Sequence, residues 1–175
     1  GGERVSGTVL AIDLGGTHLR AGVAPVTDPT AVRSVGEWQA PRDRHAFVAL
    51  LTTQLSNAGA DHLGIGVPGL ARGTTCVWIP NLPYLDGFDL APAFPGISVA
   101  LGNDAQFALV AEATAGAARG LDDALLLAIG TGIGSSVLAG GQIVTGSGGG
   151  ACSFGWAVAD VGDPGEDVSC WLERH

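Results

Sequence analysis

Val9-Leu10-Ala11-Ile12-Asp13-Leu14-Gly15-Gly16-Thr17 is an apolar run that ends in an acidic residue and a Gly-Gly-Thr turn. A second stretch of the same grammar, Leu125-Leu126-Leu127-Ala128-Ile129-Gly130-Thr131-Gly132-Ile133-Gly134, lies far downstream. Each reads as a strand that enters a tight turn and leaves as another strand. Glycine tolerates positive φ and lets a ligand come close to the backbone. Successive amides in such a turn form a concavity suited to anions. Two turns of this kind predict one phosphate chain gripped from both sides. Neither is a P-loop, because the Lys of that pattern is missing from both.

Around these turns the chain reads as α/β. Thr8–Asp13, Leu19–Ala24 and Ser34–Gln39 are expected strands. His45–Ala58 carries Phe47, Leu50, Leu51 and Leu55 at helical spacing. Leu63–Val67 is a buried strand stopped by Pro68-Gly69. This order predicts a mixed sheet covered by helices. Residues 71–96, with Pro80, Pro83, Pro92 and Pro95, read as a long irregular binding loop. Ile97–Leu101 is a strand, and Gly102-Asn103-Asp104 turns it into a helix over Ala105–Ala118. Gly120 breaks that helix and divides the chain into 1–119 and 120–175. Asp123–Ile129, Gly132–Ala139 and Gln142–Val144 then restart the opening pattern, and Val168–Arg174 begins another helix. The second half is therefore expected to be the start of a unit like the first, in an incomplete chain.

Composition narrows the function classes. The net charge of −9 argues against non-specific binding to nucleic acid or to an anionic membrane. A nucleotide remains compatible, since backbone amides and a divalent cation can hold phosphate. Hydrophobic residues make up 46% of the chain, enough for a core. Cys76, Cys152 and Cys170 are odd in number and unpatterned, which suits a reducing, cytoplasmic setting rather than a disulfide framework. No apolar run approaches the ~18 residues of a spanning helix.

Asp13-Leu14-Gly15-Gly16-Thr17, Gly102-Asn103-Asp104-Ala105 and Gly130-Thr131-Gly132-Ile133-Gly134 occur in an order that resembles the ROK family of sugar kinases, within the actin/hexokinase/Hsp70-like ATPase superfamily. The likeness runs from Thr8 to Glu173. It implies an actin-like ATPase (ribonuclease H-like) lobe, a mixed sheet flanked by helices, followed by the start of a second similar lobe. It implies ATP and Mg²⁺, a hexose substrate, and a homodimer when full-length. On this likeness Asp13 holds Mg²⁺ through water, and Gly15, Gly16 and Thr17 face the phosphates. Gly130, Thr131, Gly132 and Gly134 grip them from the second lobe. Asp104 is the catalytic base, and Asn81, Asn103, Asp104, Ser153, Trp156 and Glu173 meet the sugar. The truncated chain by itself is expected to be inactive.

Plainer roles stand beside these. Asp104 also reads as a helix cap, Asp13 and Thr17 as turn residues, Asn81 as a loop residue and Glu173 as a solvated helical Glu. Ser153-Phe154-Gly155-Trp156 departs from the family's Glu-x-Gly-His. Ser can still hydrogen-bond a hydroxyl, but without charge. Trp156 offers a stacking face for a sugar ring, or is simply a cleft-wall aromatic. Where the family has a Cys-x-Cys-Gly zinc cluster, this chain has Asp163-Pro164-Gly165-Glu166-Asp167, and only Cys170 matches. Structural zinc needs about four N/S ligands, so no zinc is expected. The departure also leaves an alternative: a sugar-binding or regulatory relative that no longer catalyses.

Overall fold

The computed structural model of the chain describes residues 6–129 and 133–156. Two compact units divide it, Gly1–Asn103 and Asp104–His175.

The first unit is a five-stranded mixed sheet in the order β3-β2-β1-β4-β7. β1 (Thr8–Leu14) and β2 (His18–Pro25) form an antiparallel hairpin, extended by β3 (Arg33–Gln39). Alternation sets the faces: Leu10, Ile12 and Leu14 on β1 and Leu19, Ala21 and Val23 on β2 are buried. α1 (Arg44–Ala58) packs against this sheet through Phe47, Leu51 and Leu55. Its start is fixed by Asp43, whose carboxylate accepts the Ala46 amide at 2.8 Å. Its end is fixed by Gly59 at φ +59°, the left-handed conformation that glycine adopts without cost. β4 (His62–Val67) and β7 (Ser98–Asn103) then add in parallel beyond β1.

Residues 71–96 depart from the irregular loop expected. β5 (Leu70–Arg72) and β6 (Thr75–Trp78) form a hairpin over Gly73-Thr74, with Gly73 at φ +59°. Short 3₁₀ turns follow at Pro83–Leu85 and Ala91–Ala93. Cys76, Ile79, Leu82, Leu85, Leu90 and Phe94 are buried in the main core. The segment is thus a folded part of the unit. Its strands are too short for alternation to show in sequence.

The second unit opens with α2 (Asp104–Ala115), followed by β8 (Ala124–Ile129), β9 (Ile133–Ala139) and β10 (Gln142–Ile143). The sheet order β10-β9-β8 repeats β3-β2-β1. Leu109 of α2 packs with Leu138, Ala118, Leu126 and Ile143. That shared core puts α2 with the second sheet, so the break at Gly120 lies inside this unit. The mixed sheet with its helix, and the repeated start in the second unit, are the α/β arrangement expected for the actin-like ATPase lobe. The helix expected over Val168–Arg174 lies outside the described residues.

Candidate functional site

In the first unit the carboxyl ends of the parallel strands converge on one edge. Asp13 of β1 is in register with Gly66 of β4, and Val67 of β4 with Asn103 of β7. In open α/β sheets this edge is where ligands bind. Asn103 is tied to the neighbouring turn, donating its side-chain amide to the Gly69 carbonyl at 3.1 Å.

A depression of about 170 Å³ opens at this edge, lined by Asp13, Gly15, Gly16, Thr17, His18 and Arg20. The turn that floors it closes through the Gly15 amide, which donates to the His18 carbonyl at 2.8 Å. Asn81 packs against the same turn: a Cβ on Gly16 would lie 2.9 Å from the Asn81 Cβ. The sequence assigned these two residues to different ligands, and the fold brings them into contact. The Asp13 carboxylate is 62% exposed. Arg20 sits opposite it in the hairpin, 3.8 Å away, and also reaches Glu37 on β3 at 3.4 Å. His18 and Arg20 were not singled out from sequence. The signal was there: antiparallel pairing of Leu14 with Leu19 puts Arg20 beside Asp13.

The segment carrying Asn81 is held at both ends. The Asp86 carboxylate accepts the Ile79 amide at 2.7 Å. Arg44, at the start of α1, donates to the Tyr84 carbonyl at 2.8 and 3.2 Å and lies over the Phe88 ring at 4.5 Å. Burial, with Asp86 nearby, pushes the Cys76 thiol up to about 11. Burial likewise pushes the Tyr84 phenol up to about 12, with Asp43 adding to it. The Tyr84 hydroxyl is buried with no hydrogen-bond partner among the described residues.

In the second unit Asp104 is the first residue of α2, and its carboxylate accepts the Ala105 amide at 2.7 Å. Gly134 on β9 faces the same turn of helix, where a Cβ would sit 3.5 Å from the Ala105 Cβ. Ser153 is half-buried and precedes a 3₁₀ turn, Phe154–Trp156. Gly130, Thr131, Gly132 and Glu173 lie outside the described residues, as do the Asp163–Asp167 stretch and Cys170 that bear on zinc. So does the side chain of Trp156.

Among the described residues no three His, Cys, Asp or Glu side chains gather into a cage. An exposed carboxylate beside a glycine turn suits a hard cation that keeps most of its waters and binds with the phosphates it neutralises. No helix among the described residues is long and apolar enough to cross a membrane.

A family model described as the ROK family matches residues 9–171. A β-glucoside kinase of Listeria monocytogenes is 29% identical, over 87% of this chain and 53% of its own length. An N-acetylmannosamine kinase of Escherichia fergusonii is 30% identical, over 90% of this chain and 56% of its own. The crystal structure of a ROK family glucokinase from Streptomyces griseus, in complex with glucose and AMPPNP, superposes with a TM-score of 0.72 at 26% identity. That superposition covers 84% of this chain and 49% of that one. The chain therefore spans about half the length of these relatives.

Proposed function

Since the chain belongs to the ROK family, we propose that it carries much of the site of an ATP-dependent sugar kinase. The reaction transfers the γ-phosphoryl group of ATP to a hydroxyl of a hexose or hexose derivative. The observation that carries this reading is the depression formed by Asp13, Gly15, Gly16 and Thr17 at the carboxyl edge of the sheet, with Asn81 packed on its turn.

The roles follow from chemistry. The turn closes through the Gly15 amide on the His18 carbonyl, and Gly15, Gly16 and Thr17 line the depression as the residues that face phosphate on this reading. Asp13 would hold Mg²⁺ through water, and the bound ion would supply charge neutralisation at the phosphates. Asp104 accepts the proton of the sugar hydroxyl as that oxygen attacks the γ-phosphorus, and ADP leaves. Asn81, Asn103 and Ser153 hydrogen-bond the sugar, with Trp156 beside it and Glu173 completing the set. Gly130, Thr131, Gly132 and Gly134 serve the phosphates from the second unit. Relatives named for β-glucosides and N-acetylmannosamine support a hexose-type acceptor. Ser153 in place of the family's charged residue favours a sugar other than glucose. The active protein is a cytoplasmic homodimer on this reading, without zinc. On this reading the 175-residue chain, which spans about half the length of the relatives it matches, is expected to be inactive by itself.

The test is a panel of hexoses and amino sugars with ATP and Mg²⁺, on the complete protein and on this chain alone. Asp104→Asn should lower kcat by about 10²-fold or more, as for a lost general base, with sugar affinity little changed. Near-normal turnover in that variant would remove Asp104 from the role. Sugar binding without turnover of any sugar in the wild-type protein would favour the regulatory reading, which the Ser153 and Trp156 departures support.

A further inference from the structure

We infer that Ser135, on β9, is a positioning residue that fixes how Ser153 is presented, through one hydroxyl that bridges both of Ser153's neighbours. The inference rests on the kinase reading only for what Ser153 then touches.

Ser135 is 4% exposed. Its Oγ donates to the Cys152 carbonyl at 2.7 Å and accepts the Phe154 amide at 2.7 Å. The direction of each bond is forced, because a carbonyl can only accept and an amide can only donate. The hydroxyl thus clamps the peptide units on either side of Ser153 to a strand. Cys152 has φ +63° and is the one non-glycine residue at positive φ among the described residues. A side chain there is uncommon and persists where surrounding contacts hold it. The Ser135 bridge is such a contact, at the residue itself.

The rest of the segment is stapled as well. The Ala151 amide donates to the Thr145 carbonyl at 3.1 Å, and the Ser153 amide to the Gly150 carbonyl at 3.4 Å. Gln106, on α2, donates its side-chain amide to the Gly149 carbonyl at 3.1 Å. Gln106 and Asp104 share the first turn of one helix. The residue proposed as base and the segment carrying Ser153 are therefore fastened to one another within a single unit. The adjacent Ser136 provides the contrast. It is 1% exposed, and its hydroxyl finds no partner among the described residues. Its side chain points to the opposite face of β9.

The experiment compares Ser135→Ala, Ser135→Thr and Ser136→Ala with wild type in the complete protein. Two things are read: amide exchange over residues 151–154, and KM for the sugar and for ATP on a panel of glucose, mannose and N-acetylmannosamine. Loss of both bonds in Ser135→Ala should speed that exchange by about tenfold or more, since a part-buried amide and carbonyl lose their partner. The sugar KM should rise roughly tenfold with the ATP KM nearly unchanged. Ser135→Thr, which keeps the hydroxyl, should restore both, and Ser136→Ala should match wild type. Should Ser135→Ala not fold, Ser135→Val set against Ser135→Thr makes the same comparison at nearly equal volume.

Unchanged exchange in the variant lacking the hydroxyl overturns the inference. So does an equal rise in both KM values, or a Ser136→Ala variant that behaves like Ser135→Ala. If the wild-type protein phosphorylates no sugar, the kinase reading falls and the exchange comparison still decides the clamp: faster exchange confined to the Ser135 variant lacking the hydroxyl supports it, and unchanged exchange refutes it.

Discussion

Gly16 carries two demands at once. Its amide lies in the turn proposed to face phosphate, and its missing side chain leaves the space that Asn81 occupies, a Cβ there coming within 2.9 Å of the Asn81 Cβ. Gly16→Ala must therefore displace Asn81 or the turn. Overpacking of this kind costs about 1–3 kcal/mol, so nucleotide affinity and sugar KM should both worsen by roughly tenfold. Gly15→Ala meets only the His18 carbonyl at 3.4 Å and should be milder. Isothermal titration with AMPPNP and steady-state kinetics would check the pair. An unchanged sugar KM in Gly16→Ala would separate Asn81 from the substrate. Cys76 gives a second prediction at this scale. Its folded value is raised from 9.0 to about 11, so the fold favours the neutral thiol. Tyr84 is raised from 10.0 to about 12 in the same way. With more protons bound in the folded state, stability falls as pH rises. The contribution is whole below about pH 9 and is lost as pH climbs through 11. Thermal melts from pH 7 to 11 should show Tm declining above 9, and Cys76→Ala should flatten part of that decline. A Tm independent of pH over that range would contradict it.

The segment between β4 and β7 shows how an element without a regular period can still be specified. Asp86 closes it by accepting the Ile79 amide, and Arg44 fastens its middle. Asp86→Ala would leave that part-buried amide unpaired, a cost of about 1–3 kcal/mol. It should raise the sugar KM more than the ATP KM, because Asn81 lies inside the closed stretch. Gly59→Ala is the control, at the far end of α1. It forces an alanine to φ +59° for about 1–2 kcal/mol and should lower Tm without moving either KM. If the two variants shift KM alike, the loop has no positioning role. The same segment marks the limit of what sequence could tell. The strands beginning at Thr8, His18, Arg33, His62, Ser98, Ala124, Ile133 and Gln142, together with α1 and α2, were legible because apolar runs, helical spacing and turn residues agreed there. β5 and β6 span only Leu70–Arg72 and Thr75–Trp78, too few residues for a period to register, so only Gly73-Thr74 hinted at a hairpin. Of the candidate residues, Asp13 and Asn103 were legible at the ends of strands and Asp104 at the start of a helix, and the fold has them there. Their linkage was not: the contact of Gly16 with Asn81 and the Ser135 bridge join residues distant in sequence, and nothing local signals such a join.

Across the molecule the two units hold unequal cores. Among the described residues the first buries a continuous cluster that includes Leu10, Leu14, Phe47, Leu51, Leu63 and Ile65. The second buries Leu109, Ala118 and Leu138, with partly covered neighbours. Its β8 leaves Leu125 60%, Leu127 53% and Ile129 71% exposed, so much of its apolar surface contributes nothing to its stability. Stability tracks apolar area removed from water, and local opening is drawn from the least buried parts. In the 175-residue chain, amides of β8 and β9 should therefore exchange faster than those of β1 and β4, by about 10²-fold or more for a difference of some 3 kcal/mol. Core truncations should separate the two. Leu51→Ala removes a fully buried side chain and should cost about 2–5 kcal/mol in the first unit. Leu109→Ala should act on the second unit alone, abolishing protection over β8 and β9 while β1 and β4 stay protected. Native-state exchange read by mass spectrometry resolves these peptides. A uniform loss of protection across both sheets in Leu109→Ala would mean that the units unfold as one, and the division at Asn103 would have no energetic meaning.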